Sequence, residues 1–162
     1  MDVRIEALEH ASFDSKERLV SKPNLLVLCT GNSARSQMAE AFFREHGSDM
    51  FNAYSAGTEP KGLNPLTVEV MAEKGIDMSG YRSKNLTEYL GHVFMHTLVI
   101  VCHDADNKCP AVWPGVFERL FWPFEDPADC TGSREERLAK FRGVRDQIEA
   151  KIVAWLKEKR AK

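Results

Sequence analysis

The stretch LLVLCTGNSARS, from Leu25 to Ser36, contains the residues on which the fold and the candidate site depend. A run of aliphatic residues ends at Cys29, small residues follow, and an arginine comes six positions after the cysteine. The next stretch, QMAEAFFREHG, has apolar residues at helical spacing and ends in a glycine, which predicts a helix to about His46. The sequence here therefore predicts a strand, a tight loop and a helix, with the cysteine at the carboxyl end of the strand.

The loop after Cys29 has the composition of an anion-binding site. A loop of small residues that enters a helix can turn its backbone N–H groups towards an anion, and Arg35 adds a planar fork of donors. Near these N–H groups and the charge of Arg35, the pKa of Cys29 is expected at roughly 3.5–7.5, against about 8.5 for a free cysteine. The alternative is a buried core cysteine before an ordinary turn. The arginine, the small loop, Ser36 and the helix together favour a nucleophile.

Composition limits the class of protein. The chain has 162 residues, 43% of them hydrophobic and 28% charged, which is ordinary for one globular domain. The net charge of −2 and the lack of a basic tract argue against nucleic acid or a membrane surface as a partner. Its first 20 residues contain no continuous apolar segment, so we expect no signal peptide and a cytoplasmic protein. Four cysteines in a cytoplasmic chain indicate catalytic, redox or metal-binding thiols rather than structural disulfides.

The remaining sequence alternates strands with helices. Further strands are predicted at FNAYSAG, TLVIVC and RLFW, and helices at PLTVEVMAEKG, at SKNLTEYL and from Ser133 to about Lys159. Asn64 is predicted to cap the start of PLTVEVMAEKG, and Ser133 with Glu136 forms a predicted capping box for the last helix. Between TLVIVC and RLFW, the stretch HDADNKCPAVWPGV is predicted to be an irregular loop. This order predicts a doubly wound α/β domain with a parallel sheet, whose ligands bind at the carboxyl ends of the strands. We assign it to residues 24–162 and treat residues 1–23 as an N-terminal extension, either a flexible arm or a docked helix.

A second group of cysteines lies in CHDADNKC. Cys102 and Cys109 are separated by six residues, which is wider than the usual spacing in zinc sites. A zinc site would recruit His103 and either Cys130 or His96, and two unrelated cysteines are a further alternative. The functional interpretation is a dithiol that cycles to a disulfide, which needs a loop able to bend until the sulfurs meet. We expect no metal and no cofactor.

A third feature is FWPFEDPAD. Asp126 precedes a proline, which places it on a loop in extended or turn geometry. Beside aromatic residues a loop aspartate can hold a proton for donation, although an ordinary Asp-Pro turn is the alternative. The aromatic residues Phe121, Trp122 and Phe124 are favoured as core rather than as a substrate wall.

Taken together, these motifs resemble the low-molecular-weight phosphotyrosine phosphatase superfamily, and in particular its thioredoxin-linked arsenate reductases. The resemblance covers about residues 24–159 and rests on CTGNSARSQMAE, YSAG, NP, the cysteine pair of CHDADNKCP, and FEDPA. It implies a three-layer, doubly wound α/β fold around a central four-stranded parallel sheet. The cysteine pair separates this branch from the phosphatases, and Ala128 stands where phosphatases tend to carry an aromatic residue that helps to hold phosphotyrosine.

The resemblance also implies a chemistry. Arsenate is expected in the loop, with Cys29 as nucleophile, Asp126 as proton donor, Cys102 and Cys109 as relay thiols, and thioredoxin or a similar thiol as reductant. Ser36 is expected to donate a hydrogen bond to the Cys29 thiolate, and Asn32 to hold the loop in shape. The oxyanion-binding set is Thr30, Gly31, Asn32, Ser33, Ala34, Arg35 and Ser36.

Two positions depart from the pattern. Ala34 replaces a second loop cysteine found in many members, and Lys84 stands where some arsenate reductases place an acidic potassium ligand, so Lys84 is expected to supply the charge itself. The competing functions are a phosphatase that uses Cys29, Arg35 and Asp126 alone, and a non-catalytic oxyanion or arsenic sensor.

Overall fold

A four-stranded parallel sheet forms the centre of the molecule. The computed structural model describes residues 22–109 and 113–162. Its strands are β1 (Asn24–Cys29), β2 (Asn52–Gly57), β3 (Thr97–Ile100) and β4 (Glu118–Phe121), in the order β2-β1-β3-β4. All three strand pairings are parallel, which confirms the predicted sheet. The strand order reverses beside β1, so the loop that follows Cys29 lies at the switch point where such sheets bind ligands.

Helices cover both faces of this sheet. They are α1 (Arg35–Gly47), α2 (Pro65–Ala72), α3 (His103–Lys108) and α4 (Arg134–Arg160), with single 3₁₀ turns at Leu86–Glu88 and Pro127–Asp129. Successive residues of a strand point to opposite faces, and residues 25–28 and 98–100 are all fully buried, so β1 and β3 are covered on both sides. The predicted doubly wound, three-layer architecture is therefore confirmed.

Side-chain caps fix where two of the helices begin. The carboxamide of Asn64 accepts a hydrogen bond from the Leu66 N–H at the start of α2, and the hydroxyl of Ser133 accepts one from the Glu136 N–H at the start of α4. Both caps were predicted from the sequence. Of the N-terminal extension, residues 1–21 lie outside the described residues, so its predicted form stays a prediction.

Two sequence predictions about local structure are wrong. SKNLTEYL forms only one 3₁₀ turn, because Asn85 caps it through the Thr87 N–H and Gly91 leaves it with φ of 80°. The stretch after Cys102 is not wholly irregular but begins with α3, whose first turn is capped by the Cys102 sulfur through the Ala105 N–H. The preceding strand ends at Ile100, so Cys102 belongs to the helix start and not to the strand.

Candidate active site

Asn32 organises the loop between β1 and α1. It is fully buried and has φ of 46°, in the left-handed region that asparagine tolerates better than most residues. Its Nδ2 donates to the hydroxyls of Ser36 (2.8 Å) and Ser55 (3.0 Å), while its Oδ1 accepts from the backbone N–H of Lys84 (2.8 Å) and from Gln37 Nε2 (3.0 Å). The side chain therefore ties the loop to α1, to β2 and to the segment that contains Lys84, as its predicted structural role requires.

Cys29 lies beneath this loop with only 2% of its surface exposed. Its sulfur is 2.7 Å from the Ser36 hydroxyl and accepts a hydrogen bond from the Asn32 N–H at 3.1 Å. Burial raises the pKa of the Cys29 thiol, and the hydrogen bond from Ser36 and the charge of Arg35 only partly oppose this effect. The direction is opposite to the lowered pKa predicted from the sequence, because that prediction counted the nearby donors and charge but not the loss of water around the sulfur.

The predicted acid and the predicted anion-binding arginine form an ion pair. Arg35 Nη2 lies 3.2 Å from Asp126 Oδ2, and Arg35 Nη1 donates to the carbonyl of Phe124 at 3.1 Å. The other carboxylate oxygen of Asp126 accepts a hydrogen bond from the Ala128 N–H at 3.0 Å, which caps the 3₁₀ turn. Asp126 is thus held at the site by two separate contacts, one of which an incoming anion can replace.

The aromatic residues before Asp126 do not all share one environment. Trp122 and Phe124 pack against the core, as predicted, and the Trp122 ring stacks on Phe43 with 6.3 Å between centroids. Phe121 is 42% exposed, so its predicted place in the core is wrong; its ring meets that of His103 edge-on. The cause is its position on β4 at the edge of the sheet, where alternate residues face outward.

A cavity of about 250 Å³ opens above the Cys29 sulfur. Asn32 and Ser36, both predicted as oxyanion-binding, are fully buried and do not line the cavity; they support the loop from behind. No aromatic side chain belongs to this lining within the described ranges. The lining consists of loop residues, two basic residues and two carboxylates with an alanine between them: Cys29, Thr30, Gly31, Ser33, Ala34, Arg35, Lys61, Asp126, Ala128 and Asp129.

Sequence reasoning missed three of the residues around this site. Lys61 and Asp129 line the cavity, and Gln37 donates to Asn32 and to the carbonyl of Arg82 while fully buried. A polar residue on the buried face of the predicted helix was an available signal for Gln37. No pattern near Lys61 indicated that it would reach the loop.

Cys102 lies beside the loop that follows Cys29, and Cys109 lies at the far end of α3. The Cys102 sulfur is 3.4 Å from the Thr30 hydroxyl, directly after Cys29 in the chain. Cys102 caps the start of α3 and Cys109 follows its last residue, so the helix separates the two thiols. Burial raises the pKa of the Cys109 thiol, and both cysteines are free thiols, as are Cys29 and Cys130. The structure thus brings Cys102 to the site and leaves Cys109 behind one short helix.

A buried ammonium group lies behind the loop. Lys84 is 6% exposed; its Nζ donates to the carbonyl of Arg82 at 2.8 Å and lies 3.8 Å from Glu40 Oε2. Burial lowers the pKa of Lys84 and raises that of Glu40. The Glu40 carboxylate also accepts hydrogen bonds from Arg44 Nη2 and from the hydroxyl of Ser55. In residues 22–109 and 113–162, no three His, Cys, Asp or Glu side chains are placed to hold a metal ion.

Among the described residues, no helix is both long enough and apolar enough to cross a bilayer.

These features define a class of protein: a doubly wound α/β protein with a buried cysteine beneath a tight loop at the switch point of its sheet. The sequence matches the family described as low molecular weight phosphotyrosine protein phosphatase over residues 24–162. The chain belongs to this family.

Relatives and solved structures agree with that placement. The chain is 44% identical to an arsenate reductase of Bacillus licheniformis, over 82% of this chain and 94% of the relative. It is 45% identical to an arsenate reductase of Bacillus subtilis, over 75% of this chain and 86% of the relative. Its structure is similar to that of an arsenate reductase in the phosphate binding state, with a TM-score of 0.66, 26% identity and coverage of 84% and 98%.

Proposed function

We propose that this protein is an arsenate reductase that passes a disulfide through Cys29, Cys102 and Cys109. One observation carries the proposal: the Cys102 sulfur lies 3.4 Å from the Thr30 hydroxyl, at the edge of the loop that holds Cys29. A phosphatase needs no second thiol there. The relatives named arsenate reductase support the same substrate.

In the first step, arsenate enters the cavity and Arg35 exchanges the Asp126 carboxylate for arsenate oxygens. Backbone N–H groups of the loop and the positive end of α1 also face the anion. The Cys29 thiol, which contacts Ser36 and the Asn32 N–H, gives its proton to the arsenate dianion, and the resulting thiolate attacks arsenic. Asp126, freed from Arg35, takes up a proton from solvent and passes it to the departing hydroxyl, which leaves as water, and an arseno-cysteine remains.

The second step reduces arsenic. The Cys102 thiolate attacks the Cys29 sulfur, and the electron pair of the sulfur–arsenic bond stays on arsenic. Arsenic(V) is thereby reduced to arsenic(III) and leaves as arsenite. The two sulfurs together lose two electrons and form the Cys29–Cys102 disulfide.

The third step requires α3 to unwind. At a helical rise of about 1.5 Å per residue the ends of α3 lie roughly 10 Å apart, whereas the Cα atoms of a disulfide lie about 4.4–6.8 Å apart. A helix of six residues is marginal on its own, and the attack on Cys29 removes the sulfur cap of Cys102. Cys109 can then attack Cys102, which frees Cys29 and leaves a Cys102–Cys109 disulfide. Thioredoxin or a similar thiol, in the cytoplasm, reduces that disulfide.

The test is arsenate-dependent oxidation of NADPH in the presence of thioredoxin and thioredoxin reductase. We expect multiple turnovers, with one arsenite formed for each NADPH oxidised, and no turnover by Cys29→Ser. Hydrolysis of phosphoesters without arsenate reduction would contradict the proposal, and binding of arsenate without any turnover would indicate a sensor.

Phosphatase activity is a second candidate, because Cys29, Arg35 and Asp126 meet at one cavity. We expect weak hydrolysis of an aryl phosphate, since no aromatic residue belongs to the described cavity wall to hold the ring. Cys29→Ser should abolish this hydrolysis and Cys109→Ser should retain it. Equal hydrolysis by Cys29→Ser and the parent would show that the nucleophile is misassigned.

A further inference from the structure

The segment after β2 runs beside the oxyanion loop and places Lys61 at the cavity. The Glu59 N–H donates to the carbonyl of Thr30, and the Lys61 N–H donates to the carbonyl of Gly31, both at 2.9 Å. The Lys61 stem then crosses Gly31: a Cβ on that glycine would lie 3.3 Å from Lys61 Cδ. The backbone and the missing side chain of Gly31 together direct Lys61 into the wall of the cavity.

Lys61 differs from Arg35 in its charge balance. Arg35 is paired with Asp126 at 3.2 Å, so an anion must displace a carboxylate to bind it. The Lys61 ammonium has no ion-pair or hydrogen-bond partner among residues 22–109 and 113–162. Hydrogen bonds from Lys108 and Thr30 lower the pKa of Asp104, and the charge of Lys61 adds to this effect.

We propose that Lys61 is a second cationic residue for oxyanion binding, which captures inorganic arsenate or phosphate before Arg35 exchanges partners. The inference rests on the proposed function only in requiring that the Cys29 loop binds an oxyanion. An unpaired cation at the mouth gives up no partner when the anion arrives, so it acts on association and affinity. It does not take part in the thiol steps, so the maximal rate is set elsewhere.

The test compares Lys61→Met and Lys61→Arg with the parent and with Lys74→Met. Lys74 is a matched control because it lies in an ion pair with Glu149 at 2.9 Å, away from the cavity lining. The dissociation constant of inorganic phosphate is measured by calorimetry at several salt concentrations. Lys61→Met should weaken phosphate binding by about 3- to 10-fold and flatten its salt dependence, while Lys61→Arg restores both. The Michaelis constant for arsenate should rise in parallel, with the maximal rate within about twofold of the parent.

The outcomes separate this inference from the proposed function. Unchanged phosphate affinity in Lys61→Met, in a protein that reduces arsenate, overturns the role of Lys61 alone. Weakened affinity in a protein that does not reduce arsenate supports Lys61 and overturns the reductase. A parent protein that binds no phosphate overturns both.

Discussion

The hydroxyl of Thr30 contacts both the sulfur of Cys102, at 3.4 Å, and the carboxylate of Asp104, at 3.2 Å. Thr30 therefore joins the loop that carries Cys29 to the first turn of α3. Parallel pairing explains the meeting, because β1 and β3 end side by side with Leu28 opposite Ile100. The sheet, rather than nearness in sequence, brings the loop of Cys29 and the thiol of Cys102 together.

The loop should depend on Asn32 for stability as well as for shape. Asn32→Ala removes hydrogen bonds to four other residues and leaves a side chain that tolerates φ of 46° poorly. We expect the free energy of unfolding to fall by about 2–4 kcal/mol in urea titrations. Asn32→Gly is the control, because glycine accepts this φ and so isolates the loss of the hydrogen bonds. A loss below about 0.5 kcal/mol in both variants would show that the loop does not need the Asn32 side-chain hydrogen bonds for stability.

Asp126→Asn should separate binding from chemistry. The amide keeps the shape of the aspartate side chain and its contact with the Ala128 N–H. It cannot form the ion pair with Arg35, and it has no acidic proton to give to the leaving oxygen. Single-turnover arsenite release should slow by about 10²- to 10⁴-fold. Phosphate should bind as tightly as before or more tightly, because Arg35 no longer has to release a carboxylate. An unchanged rate of release would remove Asp126 from the mechanism.

Potassium should have little effect on this protein. The Lys84 ammonium already lies between the carbonyl of Arg82 and the carboxylate of Glu40, so a second cation there would meet its charge. When sodium is replaced by potassium at constant ionic strength, we expect the unfolding midpoint and the Michaelis constant for arsenate to stay nearly constant. Lys84→Met should be destabilised, since Glu40 then keeps Arg44 as its one cationic partner among the described residues. A saturable potassium effect on the parent would require another role for Lys84.

Glu73 gives a stability effect with a defined pH window. Hydrogen bonds from Arg142 and Arg145 lower the pKa of Glu73 from 4.5 to about 2, and they join the end of α2 to α4. Because the pKa of Glu73 is lower in the folded than in the unfolded protein, its ionised carboxylate stabilises the folded state. This stabilisation is complete above the pKa of the unfolded protein and is lost as the pH falls through the pKa of the folded protein. The difference in unfolding midpoint between the parent and Glu73→Gln should therefore be full above about pH 4.5 and disappear towards pH 2. Glu158→Gln, at an exposed position of α4, is the control; a difference independent of pH would exclude this ion pair as its source.

Arg35 and Asp126 meet at the cavity above Cys29, as the family resemblance implied. Topology explains the meeting, because the carboxyl ends of parallel strands and their loops share one edge of the sheet. The sequence itself predicted the caps of α2 and α4, since a cap depends on residues a few positions apart. These features are local or follow directly from topology.

The features that the sequence did not predict have two causes. α3 was missed although its sulfur cap and its Lys108–Asp104 pair are local, because cysteine is not among the residues that usually cap helices; Lys108 also pairs with the distant Glu59. The other features depend on packing between distant segments. Lys61 reaches the cavity only because its backbone pairs with the oxyanion loop. The raised pKa of Cys29 follows from burial of the sulfur away from water, which spacing along the chain does not reveal.

Removal of single cysteines should stop the relay at different places. Cys102→Ser should retain arsenic on Cys29 or lose it slowly by hydrolysis, because no thiol lies ready to take the sulfur. Cys130→Ser should turn over normally, since Cys130 follows the 3₁₀ turn beyond Asp126 and has no step in the relay. Full turnover by Cys102→Ser would contradict the assignment of the second thiol.

The central claim is the order of the three thiols, and the Cys109→Ser variant tests it most directly. The measurement is peptide mapping by mass spectrometry, together with arsenite determination, after one addition of arsenate without reductant. The account predicts about one arsenite per protein and a trapped Cys29–Cys102 disulfide, because the acceptor for the second exchange is missing. A Cys29–Cys130 bond as the main product, or sustained turnover of this variant with thioredoxin, would contradict the relay and return the phosphatase interpretation to first place.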